Sequence, residues 1–244
     1  MREKDVNIFK AISLCFFPNN CLGCGKVLDE ETYFCDYCYE NIEHCQVDRI
    51  CRKCGLPKKH CQCSKNIFHF DACVAPLKND GSAKLAMYKF KFRHKTHYAK
   101  YFAEQMAIIF RQRYFDRDFD FITYVPMPFS NKLKRGYNQS FILAEELSKI
   151  LNIPLGVNVL KCTRKSKTQH ELSEKERFEN IKGKYVCCKS IIGKKVLLVD
   201  DIKTTGATFD ECSKQLMANG ADSVCCISAL ITYKEKNDKK EKRK

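Results

Sequence analysis

The sequence predicts an α/β protein in which a mainly parallel sheet is flanked by helices and preceded by a small cysteine-rich module. Phe121–Val125 and Val196–Val199 are largely apolar runs without polar alternation, which is typical of strands buried on both faces of a parallel sheet. From about residue 70, such runs alternate with segments of helical spacing, as expected for helices packed on both faces. Eight of the seventeen cysteines occur in closely spaced pairs between residues 21 and 63.

The composition divides the chain into three parts. We predict an N-terminal helix and cysteine module over residues 1–66, an α/β domain over 67–233 and a disordered basic tail over 234–244. Ile8–Phe17 has the spacing of a packed amphipathic helix rather than of a signal peptide. No apolar run approaches the ~20 residues of a membrane helix. We therefore expect a cytoplasmic protein without membrane insertion.

Apolar spacing and turn residues predict the elements of the α/β part. In chain order, the predicted elements are a strand at Ala72–Pro76, helices at Ser82–Lys91 and Tyr98–Tyr114, a strand at Phe121–Val125, a basic loop and helix running to Leu151, a strand at Tyr185–Cys188, a strand at Val196–Val199, a helix at Phe209–Met217 and a strand at Ser223–Thr232.

The paired cysteines are the ligand type and spacing of tetrahedral zinc sites, since each pair places two thiolates on one tight turn. The first set is Cys21, Cys24, Cys35 and Cys38, and the second is Cys51, Cys54, Cys61 and Cys63. Disulfides are not expected without a secretion signal. The second set ends in Cys-x-Cys, which leaves one or two zinc ions open, with two favoured; His44, Cys45 and His60 are substitute ligands.

A candidate ligand site follows the strand Val196–Val199. Asp200 and Asp201 suit the vicinal hydroxyls of a sugar or a hard cation. The next loop precedes a helix, whose free N–H groups and dipole favour a phosphate. Its expected phosphate contacts are Thr204, Thr205, Gly206, Ala207 and Thr208. Together these residue types predict a ribose 5-phosphate site.

Residues 196–208 closely resemble the thirteen-residue signature of type I phosphoribosyltransferases, which use phosphoribosyl pyrophosphate (PRPP). The resemblance implies a phosphoribosyltransferase core that binds PRPP with Mg²⁺. It also implies that the loop Val125–Gly136 grips the pyrophosphate, with Pro126, Met127 and Arg135 as its contacts. We expect Lys89 to approach the same group. Pentosyl transfer is then the expected activity, and the acceptor is not indicated.

The basic stretch Lys89–Lys95 is interleaved with aromatic residues and has two interpretations. The aromatic rings can be core anchors below a solvated basic face, which is the favoured interpretation, or they can stack single-stranded bases. The segment Thr163–Asn180 has two as well, a solvent-exposed helical linker or a mobile lid over PRPP. The formal net charge of +15 suggests anionic partners.

The order of motifs over Cys21–Leu230 resembles the ComF family of competence proteins. These motifs are the cysteine pairs, Val-Pro-Met-Pro, Arg-Gly-Tyr-Asn-Gln-Ser, Thr-Arg-Lys-Ser-Lys-Thr-Gln and Val-Asp-Asp-Ile-Lys-Thr-Thr-Gly-Ala-Thr. Tyr137 replaces the family's phenylalanine. The resemblance implies a role in DNA uptake, with single-stranded DNA and competence proteins as partners. A salvage phosphoribosyltransferase and a non-catalytic PRPP sensor are the alternatives.

Overall fold

A computed structural model describes residues 19–28, 32–61, 63–64, 66–163 and 179–233. Three predicted features lie outside these residues: the N-terminal helix, most of the candidate lid and the basic tail. Within the described part, no helix combines the length and apolar character needed to cross a bilayer.

A parallel sheet forms the centre of the described fold. Its strands are β1 (Ala72–Val74), β2 (Leu77–Lys78), β3 (Phe121–Tyr124), β6 (Lys195–Lys203) and β7 (Ser223–Ile231). Their order is β1-β7-β6-β3, and β2 continues β1 along β7. Every pairing between these strands is parallel, which confirms the predicted sheet type.

Both faces of the sheet are covered by helices. The helices α3 (Tyr98–Arg113) and α5 (Gln139–Leu151) share one buried core with Leu197 and Val199 of β6. On the other face, α6 (Ala207–Ala218) shares a core with Val196 and Leu198. Successive residues of β6 thus point into different cores, so the residues on each face of the strand must be apolar. This explains why the run lacks polar alternation.

The cysteine module packs onto the α/β body. Around α1 (Asp36–Glu40), Phe34 meets the ring of Tyr101 on α3 at 4.9 Å between centroids. The second cysteine set lies against β1. A Cβ atom at Gly55 would sit 2.6 Å from the carbonyl oxygen of Cys73, so only glycine permits this approach.

Two local elements differ from the expectation. The predicted basic loop contains a short helix, α4 (Phe129–Arg135), which ends at Gly136 with φ 79°. The predicted strand near Tyr185 does not join the parallel sheet. Instead, β5 (Tyr185–Cys187) pairs antiparallel with β4 (Leu160–Cys162). Burial of β5 falls from a buried Tyr185 to an exposed Val186, as expected for a ribbon covered on one side only.

The remaining helix, α2 (Gly81–Phe92), begins after Asp80 and lies beside the first cysteine set and α3. The Asp80 carboxylate caps the helix by accepting a hydrogen bond from the amide of Gly81 at 2.8 Å. Phe90 is fully buried, whereas Tyr88 and Phe92 are about half exposed. The basic aromatic stretch therefore contains both a core anchor and exposed rings.

Candidate functional site

A cleft of about 210 Å³ opens where β3 and β6 deliver their last residues. In a parallel sheet the carboxyl ends of the strands meet at this edge, where ligands commonly bind. Six of the predicted ligand contacts line it, namely Asp200, Asp201, Arg135, Pro126, Met127 and Thr208. The fold therefore brings together residues that are up to 82 positions apart in the sequence (126 to 208).

Asp200 is held by two hydrogen-bond donors. Its Oδ1 accepts from the Ser140 hydroxyl at 2.7 Å and from the amide of Asp201 at 2.9 Å. Burial raises the pKa of Asp200 to about 7, and the adjacent Asp201 charge acts in the same direction. The Ser140 hydrogen bond opposes this rise, because it favours the ionised form. Asp200 is thus poised to exchange a proton near neutral pH.

Asp201 forms an ion pair with a residue that the sequence reasoning missed. The Lys91 ammonium lies 2.8 Å from Oδ1 of Asp201, and both side chains are about 15% exposed. Lys91 lines the cleft, whereas the predicted Lys89 does not. Lys89 instead donates to the carbonyl of Gly23 in the first cysteine set, at 2.5 Å. The cationic contact expected from α2 therefore comes from Lys91.

The loop between β6 and α6 has the geometry of an anion site. Gly206 is the N-cap of α6 with φ 88°, and the hydroxyl of Thr205 accepts from the amide of Ala207 at 3.3 Å. Thr204 is exposed. Apart from the Ala207 amide, the N–H groups in the first turn of an α-helix have no acceptor within the helix, and the helix dipole adds positive potential. Of the five residues predicted to contact a phosphate, Thr208 lines the cleft, whereas Thr204, Thr205, Gly206 and Ala207 do not. The phosphate contact of this loop stays a prediction.

Lys203, which the sequence left uninformative, is buried behind this loop. Its side chain is 2% exposed. Its Nζ has no hydrogen-bond acceptor among the residues that the structure describes. A Cβ atom at Gly206 would lie 3.6 Å from this Nζ and 3.4 Å from the ring of Phe68. The ammonium therefore adds uncompensated positive charge next to the N-terminus of α6.

The opposite wall comes from the loop that begins at Val125. The Asn138 amide donates to the carbonyl of Val125 at 3.0 Å, and its Oδ1 accepts from the amide of Ser140 at 3.0 Å. Asn138 thereby fixes the start of α5 to the end of β3. Arg135 donates to Oε1 of Gln139 at 3.2 Å, and its guanidinium lies 4.7 Å from the ring centroid of Phe92.

Further lining residues could have been found only in part from the sequence. Asn138 and Ser140 lie in the Arg-Gly-Tyr-Asn-Gln-Ser motif, although no role followed from it. Lys184 and Tyr185 also line the cleft, but no motif indicated them. Tyr137, the departure from the family pattern, donates its hydroxyl to the carbonyl of Phe90. Its extra oxygen thereby ties the loop to α2.

Both cysteine sets have the arrangement of a metal site. Within each set the four Sγ atoms lie within 4.8 Å of one another. The Sγ atoms of Cys24 and Cys35 are 3.8 Å apart, and those of Cys51 and Cys63 are separated by the same distance. Four sulfurs at the Zn–S distance of about 2.3 Å around a tetrahedral ion are separated by about 3.8 Å. The Cys-x-Cys ending of the second set does not prevent this geometry.

Backbone amides favour thiolates in the first set. The amide of Cys35 lies 3.4 Å from the sulfur of Cys21, and the amide of Lys26 lies 3.4 Å from that of Cys24. Burial opposes ionisation of Cys21, but hydrogen bonds from the backbone of Cys35 and Cys24 and from neighbouring thiols outweigh it and lower its pKa to about 6. Burial raises the pKa of Cys38 in the same set to about 12. Thiolates are the form that binds zinc. The eight predicted cysteines therefore fit two metal ions.

Comparison with known proteins gives relatives but no matching family model. Competence protein F of Haemophilus influenzae is 28% identical over 86% of this chain and 95% of its own. Competence protein ComFC of Bacillus subtilis is 32% identical over 61% of this chain and 59% of its own. The DNA utilization protein YhgH of Escherichia coli K12 is 35% identical over 43% of this chain and 46% of its own.

Comparison with solved structures finds matches to two phosphoribosyltransferases with low TM-scores. The adenine enzyme of Thermoanaerobacter pseudethanolicus is 17% identical with a TM-score of 0.35, over 58% of this chain and 84% of that enzyme. The hypoxanthine enzyme of Staphylococcus aureus is 12% identical with a TM-score of 0.38, over 58% of this chain and 69% of that enzyme.

Proposed function

We propose, from the similarity to competence protein F and competence protein ComFC, that this chain binds PRPP and handles single-stranded DNA during DNA uptake. The observation that carries the PRPP part is the position of Asp200 and Asp201. A carboxylate pair and a helix N-terminus meet at one small cleft, which suits a ribose that carries a 5-phosphate.

Each part of PRPP has a complementary group in this proposal. Asp200 and Asp201 accept hydrogen bonds from the ribose hydroxyls. The N-terminus of α6, with Thr204–Thr208, binds the 5-phosphate. Arg135 and Lys91 face the pyrophosphate, and Pro126 and Met127 shape the wall beside it. Mg²⁺, when bound, neutralises part of the pyrophosphate charge.

The same groups fit pentosyl transfer. When pyrophosphate leaves, carbon 1 of the ribose becomes electron-poor and the leaving group gains charge. The Asp201 carboxylate stabilises the cationic sugar, and the Arg135 guanidinium stabilises the departing pyrophosphate. The acceptor that attacks carbon 1 is not assigned.

Zinc is the proposed occupant of both cysteine sets. Tetrahedral thiolate sites of this kind are structural, and they contribute folding free energy to modules too small for a large core. Reduced cysteines imply a reducing compartment, so a cytoplasmic location is part of the proposal.

The DNA part of the proposal rests on the basic aromatic surface and on the names of the relatives. Lysine and arginine outnumber aspartate and glutamate by 15 residues (44 against 29). Tyr88 and Phe92 expose about half of their surface on α2. Exposed rings between basic side chains can stack bases while the cations follow the phosphates. Competence proteins that would receive the strand are further expected partners.

Calorimetric titration with PRPP and Mg²⁺ tests the site. Wild-type protein should bind PRPP, and Asp200→Asn with Asp201→Asn should lose the affinity at least tenfold while still unfolding cooperatively as a folded protein. Retained affinity in the double variant would remove the site assignment. Pyrophosphate release with nucleobases or nucleosides then separates the alternatives, because a PRPP sensor releases none and a salvage enzyme releases it with one of them.

Filter binding of a single-stranded oligonucleotide across a salt series tests the DNA part. Binding should weaken steeply as salt rises, because phosphate contacts release counterions. Absence of binding even at low salt would overturn this part and leave PRPP binding standing.

A further inference from the structure

Arg135 belongs to two surfaces at once. It lines the cleft with Asp200 and Asp201. Its guanidinium also lies 4.7 Å from the ring centroid of Phe92, which is half exposed on the outer face of α2. One side chain thus connects the interior of the cleft to an exposed aromatic ring.

The exposed ring is part of a larger patch. Tyr88 lies one helical turn before Phe92, with 5.1 Å between the ring centroids. We call Tyr88 and Phe92 the aromatic patch, and Arg135 lies over the Phe92 ring of this patch. Beside it, α4 exposes Phe129 together with Lys132 and Lys134. Rings flanked by cations complement the bases and phosphates of a single strand, so single-stranded DNA is the occupant that this charge pattern fits.

The guanidinium covers the ring that a base would need. Arg135 is positioned over one face of the Phe92 ring, so a base that stacks on this face must displace the guanidinium. In the absence of ligand, Arg135 is held by Phe92 and by the 3.2 Å hydrogen bond to Gln139. The contact with Phe92 is weak because this ring is half exposed, whereas the hydrogen bond to the buried Gln139 is partly buried. A pyrophosphate group offers the guanidinium two charged acceptors instead.

We propose that Arg135 acts as a latch on the aromatic patch, so that the pyrophosphate of PRPP draws the guanidinium off Phe92 and frees the ring for a base of single-stranded DNA. This inference rests on the proposed function and adds its regulation. Each ligand must break the same contact between Arg135 and Phe92. The ligand that binds first therefore breaks the contact between Arg135 and Phe92, and the second ligand binds without this cost. Each ligand thus raises the affinity for the other.

Thermodynamic linkage sets the size and the symmetry of the effect. A cation–π contact at an exposed site contributes little free energy. Its removal by the first ligand should raise the affinity for the second ligand about two- to fivefold. PRPP should tighten DNA binding by this factor, and DNA should tighten PRPP binding by the same factor. Ribose 5-phosphate fills the cleft without a pyrophosphate, so it should leave DNA affinity unchanged.

Fluorescence anisotropy of a labelled oligothymidylate with Mg²⁺ tests the latch in the full-length protein. We expect PRPP, but not ribose 5-phosphate, to lower the dissociation constant two- to fivefold. Phe92→Leu removes the ring that Arg135 covers. It should weaken DNA binding, retain PRPP binding and abolish the enhancement. Phe115→Leu, at an exposed ring outside the patch, should behave as wild type.

The outcomes separate the latch from the proposed function. If PRPP and DNA both bind but neither alters the other, or if PRPP weakens DNA binding, the latch is wrong and the two ligand assignments stand. An enhancement that survives in Phe92→Leu also overturns it. If PRPP itself does not bind, the proposed function fails first. Asp200→Asn with Asp201→Asn should bind DNA at the basal level and show no response to PRPP.

Discussion

The Ser140 hydroxyl lies 2.7 Å from Oδ1 of Asp200 and donates a hydrogen bond to it. This contact joins the first turn of α5 to the last part of β6, and it stabilises the charge on a carboxylate whose pKa burial has raised to about 7. The protonation state of Asp200 is therefore set by a balance that small changes in the cleft can shift.

PRPP binding should strengthen as pH rises from 6 to 8. Asp200 must be ionised to accept hydrogen bonds from the ribose hydroxyls, and its pKa of about 7 lies within this range. Ser140→Ala removes a contact that favours the ionised form, so it should move the midpoint to higher pH. Calorimetry in buffers of different ionisation enthalpy should detect proton release on binding. A flat pH profile would contradict the assignment of Asp200.

The same raised pKa makes a prediction about stability. Asp200 stabilises the ligand-free fold below its ordinary pKa of about 3.8, and this contribution is lost as pH rises through about 7. The contribution of Asp200 to the unfolding free energy should therefore decline between about pH 4 and pH 7. Urea titrations of Asp200→Asn should lack this part of the decline, and an identical slope in both proteins would exclude Asp200 as its source.

Lys91 and Lys89 should have separable effects. Lys91→Met removes the ammonium beside Asp201 and should weaken PRPP binding about ten- to hundredfold, since a charge-assisted contact is worth about 1.5–3 kcal/mol. Lys89→Met removes the hydrogen bond to Gly23 and should lower stability while PRPP binding remains. Calorimetry and thermal unfolding of the two variants check this. Reversed effects would favour the original expectation for Lys89.

Lys203→Met should stabilise the ligand-free protein. A buried ammonium without an acceptor in the described part of the chain is costly, and an apolar side chain of similar length should raise the unfolding free energy by about 1–3 kcal/mol. PRPP affinity should fall because positive charge behind the phosphate loop is lost. Lys214→Met, at an exposed position of α6, is the control for both measurements. A loss of stability would indicate that Lys203 has a partner.

Metal analysis should give two zinc ions per chain. Removing the second set with Cys51→Ser and Cys54→Ser should leave one, because the first set has its own four sulfurs. Mass spectrometry of the native protein and elemental analysis count the ions. One ion in the wild type would support the alternative of a single site.

Gly55 and Gly25 occupy equivalent turns in the two sets but have different neighbours. Both have positive φ, 73° and 90°. Gly25→Ala meets only the end of the Lys89 side chain at 3.8 Å, so it should cost about 1–2 kcal/mol of backbone strain. Gly55→Ala adds a 2.6 Å clash with the Cys73 carbonyl and should cost more. Equal losses of unfolding free energy in urea for the two variants would show that β1 can shift to relieve the clash at Gly55.

Sequence patterns predicted the sheet and most of its helices. Burial of a strand on both faces requires an uninterrupted run of apolar residues, and this run can be read directly from the sequence. They could not choose between Lys89 and Lys91. Two residues apart on a helix, these side chains differ by about 200° in direction, and only the packing of α2 decides which one faces the cleft. The buried position of Lys203 was also invisible, because its burial depends on Phe68 and the turn at Gly206. By contrast, the spacing of the cysteines alone was enough to assemble both sets.

The close approach of Gly55 to Cys73 has an evolutionary consequence. The second cysteine set covers Phe70 and β1, so its loss would expose the edge of the sheet as well as a metal site. A descendant could not discard these four cysteines one at a time without a period of weakened folding. We expect such a loss to occur only together with bulkier replacements along residues 54–75, so that this stretch and the strand beneath it are inherited as a unit.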